Sequence, residues 1–285
     1  MENGSGVEQL IQFWRQFDVH EKNSQIHPED RRFLLQNDFL LKDHDSFNKR
    51  LTFKDFVRDR RHFTPDSSAL DFSLTPIPYV GDLRKAEVVI LMLNPGLDYT
   101  CHYAEDLPTF REDALIPNLY QQGLDEDFPF FCLNPRYCWY GGFTYWERRL
   151  RKMILNIVKR KQADSYLDVL QKLSHRIAVM QLVPYASWSF ADDPLITPRK
   201  GKAKSRGILP SAQYAIEAAQ CLNQDSNRTL IVGRRSRWWN VSGDRTICQF
   251  FVVIVLEAGC CRSHHLGHPG PTQLLLGHPL LDSAL

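Results

Sequence analysis

Apolar residues are distributed along this chain in two different patterns. Four short runs, 88–93, 177–183, 229–232 and 250–256, are apolar apart from Gln181 and the leading Thr229, and each stops at turn formers: Asn94-Pro95-Gly96, Pro184, Gly233 and the neighbourhood of Gly259. Runs that do not alternate suit strands buried on both faces, as in a parallel sheet. Between them, residues 143–161 with 166–173, 211–222 and 235–240 carry helical spacing. Strand, helix, strand, helix predicts an open α/β sheet with right-handed crossovers.

The flanks read differently. Up to about residue 80 the chain is polar and helical: Leu10, Ile11, Phe13, Trp14 and Phe17 recur at helical spacing, and Phe33, Leu34, Phe39 and Leu40 do so less regularly. His27-Pro28-Glu29-Asp30 marks a helix start, with Pro near the first turn and acids favoured by the dipole. The segment Thr75-Pro76-Ile77-Pro78-Tyr79 is expected to be extended. Residues 1–80 are therefore read as a helical extension covering one edge of the sheet. An aromatic insert at 98–142 is too long for a plain loop and too aromatic for disorder. A basic loop, 198–207, holds five cations and no acid, and residues 273–285 form an irregular tail.

Bulk composition changes this picture little. With 43% hydrophobic residues, 35 basic and 33 acidic side chains and a net charge of +2, the chain is neither a polycation nor acid-tailed. The first ten residues have no basic or apolar leader, and the apolar runs fall far short of the roughly 20 residues of a membrane span. Seven cysteines with no C-x-x-C pair suit reduced thiols. The expectation is a soluble intracellular protein of the cytoplasm or nucleus, with no membrane partner.

Ligands of open α/β sheets sit at the carboxyl ends of the strands, here 94–96, 181–187 and 233–239. No Gly-x-Gly-x-x-Gly, P-loop or Gly-x-Ser-x-Gly occurs, so dinucleotide binding, P-loop nucleotide binding and the usual hydrolase elbow are set aside. Leu93-Asn94-Pro95-Gly96-Leu97, ending an apolar strand, resembles the first active-site motif of the uracil-DNA glycosylase superfamily. The likeness is strongest to its mismatch-specific and single-strand-selective branches. Gln181-Leu182-Val183-Pro184, Val232-Gly233 and His268-Pro269 follow in the superfamily's order, and 143–148 is similar to an aromatic helix start after the first motif.

The resemblance covers about residues 85–272 and implies a three-layer α/β/α sandwich around a central, mostly parallel four-stranded sheet, with a glycosylase-like domain at 81–272. It implies monofunctional hydrolysis of the glycosidic bond of uracil or a related damaged pyrimidine in single- or double-stranded DNA. Asn94 would position the attacking water and His268 would donate to the base. Leu93, Pro95, Gly96 and Gln181 would meet the base, with Tyr99, Phe130 or Phe131 stacking on it. Arg199, Lys200, Lys202, Lys204, Arg206, Arg234, Arg235 and Arg237 are the candidate phosphate contacts. Gln181 reads equally as an ordinary polar strand end, and the basic loop as a solvated charge run.

Cys260, Cys261, His264, His265 and His268 do not have zinc-site spacing, and no iron–sulfur set is recognisable. No metal or other cofactor is expected. Two alternatives stay open: a glycosylase-fold protein that binds nucleic acid without cleaving it, and an enzyme acting on a free nucleoside or nucleotide.

Overall fold

In a computed structural model of the chain, the residues described are 5–21, 25–36, 50–58, 69–161, 165–190, 208–233, 236–241 and 247–248. In order they form α1 (Gly6–Arg15), α2 (Pro28–Gln36), α3 (Phe53–Arg58), β1 (Tyr79–Val80), β2 (Val88–Met92), α4 (Tyr99–Glu105), α5 (Gly141–Lys161), α6 (Tyr166–Arg176), β3 (Ile177–Gln181), α7 (Pro210–Gln224), β4 (Thr229–Val232), α8 (Ser236–Trp239) and β5 (Ile247–Cys248). Between α4 and α5 the chain coils through Pro108–Phe110, a π-helical Arg111–Leu115 and Ile116–Tyr120. Among the described residues no helix is long and apolar enough to cross a membrane.

The strands make one mostly parallel sheet in the order β1-β3-β2-β4-β5. β2 pairs in parallel with β3 and β4, β4 does so with β5, and only β1 runs antiparallel, along β3. The predicted strands at 88–93, 177–183 and 229–232 are present; the run 250–256 lies outside the described residues, and β5 precedes it. The Pro-rich segment, expected to be extended, bends at Pro78 and leads into an edge strand. Pro76 and Pro78 have no N–H to donate, which suits a sheet edge. Ile77 between them donates to Pro184 O at 2.9 Å.

Successive residues of a strand face opposite sides, and each side of this sheet has its own buried cluster. Val89 and Leu91 of β2 with Ala178 and Met180 of β3 pack with Leu10, Ile11 and Trp14 of α1 and with Ala215, Ala218 and Ala219 of α7. Val88 and Ile90 with Ile177 and Val179 pack with Leu150, Met153 and Ile154 of α5, Leu170 and Leu173 of α6, and much of the aromatic insert. The expected placement of the N-terminal helices is corrected here. The apolar stripe of α1 is part of the main core over a sheet face rather than a cover on an edge, because five of its ten residues are buried there.

Behind that face lies a buried polar cluster that joins α2 to the rest. Asp30 accepts the Tyr185 hydroxyl at 2.7 Å and the Ser211 N–H at 2.9 Å, so a carboxylate meant for the α2 dipole also holds the first turn of α7. The His27 ring stacks on Phe13 with centroids 3.7 Å apart, Nε2 lies 3.0 Å from Phe13 O, and Nδ1 accepts the Glu29 N–H. That arrangement satisfies a neutral imidazole with the proton on Nε2. Burial lowers the His27 pKa from 6.5 to about 4 despite the bond to Phe13 O. Burial raises that of Asp30 to about 6, against the hydrogen bonds of Ser211 and Tyr185.

The two shifts oppose each other. Below 6.5 the unfolded chain protonates its histidine while folded His27 stays neutral, so this contribution to stability is lost as pH falls toward 4. Asp30, raised, takes up its proton in the folded state first, so its contribution grows as pH falls through 6. His27→Phe removes only the first effect. Relative to wild type, the variant is expected to gain roughly 1–2 kcal/mol on going from pH 7 to pH 5, measured by urea unfolding at both values. An unchanged difference between the two pH values would show that His27 is not held neutral.

Candidate functional site

After the edge strand β1 the chain takes the centre of the sheet with β2, moves to one side with β3 and then to the other with β4. The carboxyl ends of β2 and β4 therefore flank a topological switch point, where open α/β sheets present their ligand crevices. The turn at Asn94 leaves β2 at this point. Gly233 leaves β4 beside it, so close that a Cβ there would sit 2.8 Å from Met92 Sδ and 3.1 Å from Leu91 O.

The turn is held by the segment that follows β3. Leu182 and Val183 N–H donate to Met92 O and Leu93 O, Leu97 N–H donates to Ser187 O, and Ser187 N–H donates to Pro95 O. Asn94 Nδ2 donates to Tyr185 O at 3.2 Å and to Ser187 Oγ at 2.8 Å. The Ser187 hydroxyl proton goes to Ser189 O at 2.7 Å, so Oγ can only accept from Asn94. The amide orientation follows from the network: both Nδ2 donations stay within the protein. Oδ1 has no partner among the described residues and is the acceptor a ligand would meet.

Helix α4 starts immediately after this turn. Asp98 caps it by accepting Thr100 N–H at 2.6 Å and Thr100 Oγ1–H at 2.5 Å. Gly141 N–H donates to Thr100 Oγ1 at 2.8 Å, joining the first turn of α5 to the first turn of α4. A Cβ on Gly141 would lie 1.5 Å from Asp98 Oδ2, so the cap exists only because residue 141 has no side chain.

Two side-chain pairs, each with a buried member on α4, anchor the rest of that helix. His102 Nε2 meets Asp71 Oδ2 at 2.9 Å, and Asp71 also accepts Ser73 N–H and Oγ–H. Burial works against the Asp71 charge, yet the bonds from His102 and Ser73 outweigh it and hold the carboxyl below its usual range. Asp71 N–H in turn donates to Ala186 O at 2.7 Å. Glu105 accepts Thr75 N–H, Thr75 Oγ1–H and Arg50 Nη2–H at 2.8–3.0 Å; burial pushes its carboxyl up, against the pull of Arg50. Burial also pushes the Cys101 thiol well up, so it is no ready nucleophile. A small, partly open cavity of about 20 Å³ between Pro95, Gly96, Cys101 and Glu105 is large enough for one water and far too small for a base.

The sequence-predicted site residues divide cleanly. Leu93, Asn94, Pro95, Gly96 and Tyr99 form one continuous turn and helix start. Gln181 ends β3 in register with Met92, 8% exposed, and its Oε1 has no hydrogen-bond partner among the described residues. Phe130 and Phe131 are corrected: both are core residues. Phe130 is 0% exposed, packs on Trp146 and donates its N–H to Ser174 Oγ, just before the amino end of β3 and away from Asn94. Phe131 is buried against Phe110 and Tyr140. Arg237 is exposed beyond β4, its guanidinium 5.9 Å from the Trp238 ring centroid. Trp238 contacts Phe190, which brings α8 alongside the segment after β3. Arg199, Lys200, Lys202, Lys204, Arg206, Arg234, Arg235 and His268 lie outside the described residues, as do Cys260, Cys261, His264 and His265. Among the described residues no group of three or more metal-ligating side chains converges.

Sequence reasoning missed Ser187, Trp188, Asp71 and His102. The half-exposed Trp188 ring sits 4.9 Å from Tyr99, beside the Asn94 turn. Asp71 and His102 are 31 residues apart and carry no joint signal. No protein family, curated protein or solved structure matches this chain.

Gly141→Ala is expected to cost about 1–2 kcal/mol, because Asp98 must abandon the α4 cap. Asp98→Ala is expected to cost about as much, and the double variant clearly less than the two together. Urea unfolding of all four proteins checks this; additive costs would mean the Gly141 clash is relieved elsewhere.

Proposed function

We propose that this chain is a monofunctional nucleic-acid glycosylase of uracil-DNA glycosylase type, hydrolysing the N-glycosidic bond of uracil or a related pyrimidine in DNA. The observation that carries the reading is the Asn94 side chain at the switch point, its amide nitrogen committed to Tyr185 and Ser187 and its Oδ1 left as an acceptor. Such an oxygen can orient a water by accepting one of its protons. We read the two buried clusters, one on each side of the sheet, as the faces of an α/β/α sandwich.

In the proposed reaction the target nucleotide leaves the stack and enters the crevice between the ends of β2, β3 and β4. Water held by Asn94 adds to C1′ while the bond from C1′ to the base nitrogen breaks. The electron pair leaves with the base, and the water proton passes to solvent or to the departing base. An amide is too weak a base to remove that proton early, so Asn94 acts by position. Gln181 supports the base side: an acceptor buried without a partner is what the N–H of a pyrimidine edge would satisfy. His268 would complete the base contact, and the basic loop with Arg234, Arg235 and Arg237 the phosphate contacts.

The deciding assay uses end-labelled single- and double-stranded oligonucleotides with one uracil, followed by alkali. Alkali-dependent breaks are expected, reduced about a hundredfold in Asn94→Ala. Oligonucleotide binding without abasic sites would replace the enzyme by a binding protein. Gln181→Met is expected to abolish uracil excision while raising stability by about 1 kcal/mol, since a buried acceptor left unpaired in the free protein disappears. A destabilised Gln181→Met would show that Oε1 is satisfied and is not held for a ligand.

A further inference from the structure

Exposed aromatic side chains are concentrated on one strip of this protein, and the strip begins at the Asn94 turn. Tyr99 and Tyr103 are one helical turn apart on α4, 50% and 43% exposed, and so share a face about 6 Å apart along the axis. Trp188 lies against Tyr99 at 4.9 Å. At the other end, Phe53 of α3 and Trp139 of the insert each approach Tyr103 to 5.5 Å, at interplanar angles of 70° and 83°. Trp139 also meets Phe110 and Tyr140, so what these rings offer a flat partner is their outer surface, 36% of it in Trp139.

We infer that this strip, Trp188–Tyr99–Tyr103–Trp139 with Phe53, is a stacking track for the unpaired nucleotides that flank the base held at the Asn94 turn. The inference rests on the glycosylase reading for the base at the turn and adds the class of substrate: nucleic acid presented as a single strand. Three features favour such a strand over a protein surface. The strip is continuous with the turn, because the Leu97–Ser187 hydrogen bond pins Trp188 beside the start of α4. Two of its rings, Tyr99 and Tyr103, stand one turn apart on α4, where neighbouring splayed bases can each meet one, and every base offers a π-face. Lys54 and Arg58 of α3 are exposed beside Phe53 and offer cations to the phosphates, set against the carboxylates of Asp55, Asp98 and Asp106.

Anisotropy titration of the full-length protein with a labelled single-stranded oligonucleotide, with and without abasic positions beside one uracil, tests the strip through Tyr103. Tyr103→Ala and Tyr103→Leu are expected to weaken binding about five- to twentyfold, while Tyr103→Phe keeps it, because the ring face and not the hydroxyl carries the contact. Abasic flanking positions should weaken wild type to the same extent and leave Tyr103→Ala nearly unchanged. Equal binding by all four proteins overturns the track, as does full binding by Tyr103→Leu, which would mean apolar area alone matters. Concentration-dependent self-association abolished by Tyr103→Ala, with no effect on oligonucleotide binding, would assign the strip to a second copy and also overturn it. The glycosylase reading fails separately: ring-dependent binding without alkali-sensitive breaks leaves the strip standing, and breaks lost in Asn94→Ala but indifferent to Tyr103 leave only the reading.

Discussion

The structure depends on a central strand that has no solvent-facing side. Val88, Val89, Ile90 and Leu91 of β2 are all at most 4% exposed, and both backbone edges of β2 are paired, to β3 and to β4. Such a strand forces cover onto both faces of the sheet, and α1 with α7 and α5 with α6 supply it. It also decides where polar groups can emerge. Inside β2 nothing polar is tolerated without a partner, so the first side chain able to meet water or a ligand is at its carboxyl end, where Asn94 stands.

Beyond that end, order comes from hydrogen bonds rather than apolar contact. The Asn94 turn, the 182–187 segment, Asp71 and helix α4 are one bonded unit, tied through the carbonyls of Met92, Leu93, Pro95, Tyr185, Ala186 and Ser187 and the carboxylates of Asp71 and Asp98. Its rigidity matters for any function: an acceptor such as Asn94 Oδ1 is useful only if its position is fixed before a ligand arrives. The buried charges around α4 serve the same end. The Asp71–His102 and Glu105–Arg50 pairs fasten a seven-residue helix that packing alone would hold loosely.

The aromatic insert illustrates how one composition can serve two purposes. Phe110, Phe128, Phe130, Phe131, Tyr137 and Tyr140 fill the core over one sheet face. Tyr99, Tyr103 and Trp139, drawn from the same stretch, keep a third to a half of their surface outside. Nothing in the local sequence separates the two groups. Which ring is buried depends on where the insert crosses Val88, Ile90 and Val179, residues that lie outside the insert in the chain.

By itself the sequence determined the strands β2, β3 and β4, the helices between them and the turn at Asn94, because apolar runs without alternation, helical periodicity and Asn-Pro-Gly are local signals whose physics does not wait for the fold. The helix start at Pro28 was legible for the same reason. Tertiary structure alone decided that α1 belongs to the core, that Phe130 and Phe131 are packing residues, and that Ser187, Asp71, His102 and Trp188 surround the turn. Those facts rest on pairings between segments from 16 residues apart, as in Phe130–Trp146, to about 200 apart, as in α1–α7. In such pairings the partner of a polar or aromatic group is set by chain topology, and no residue's own chemistry announces it.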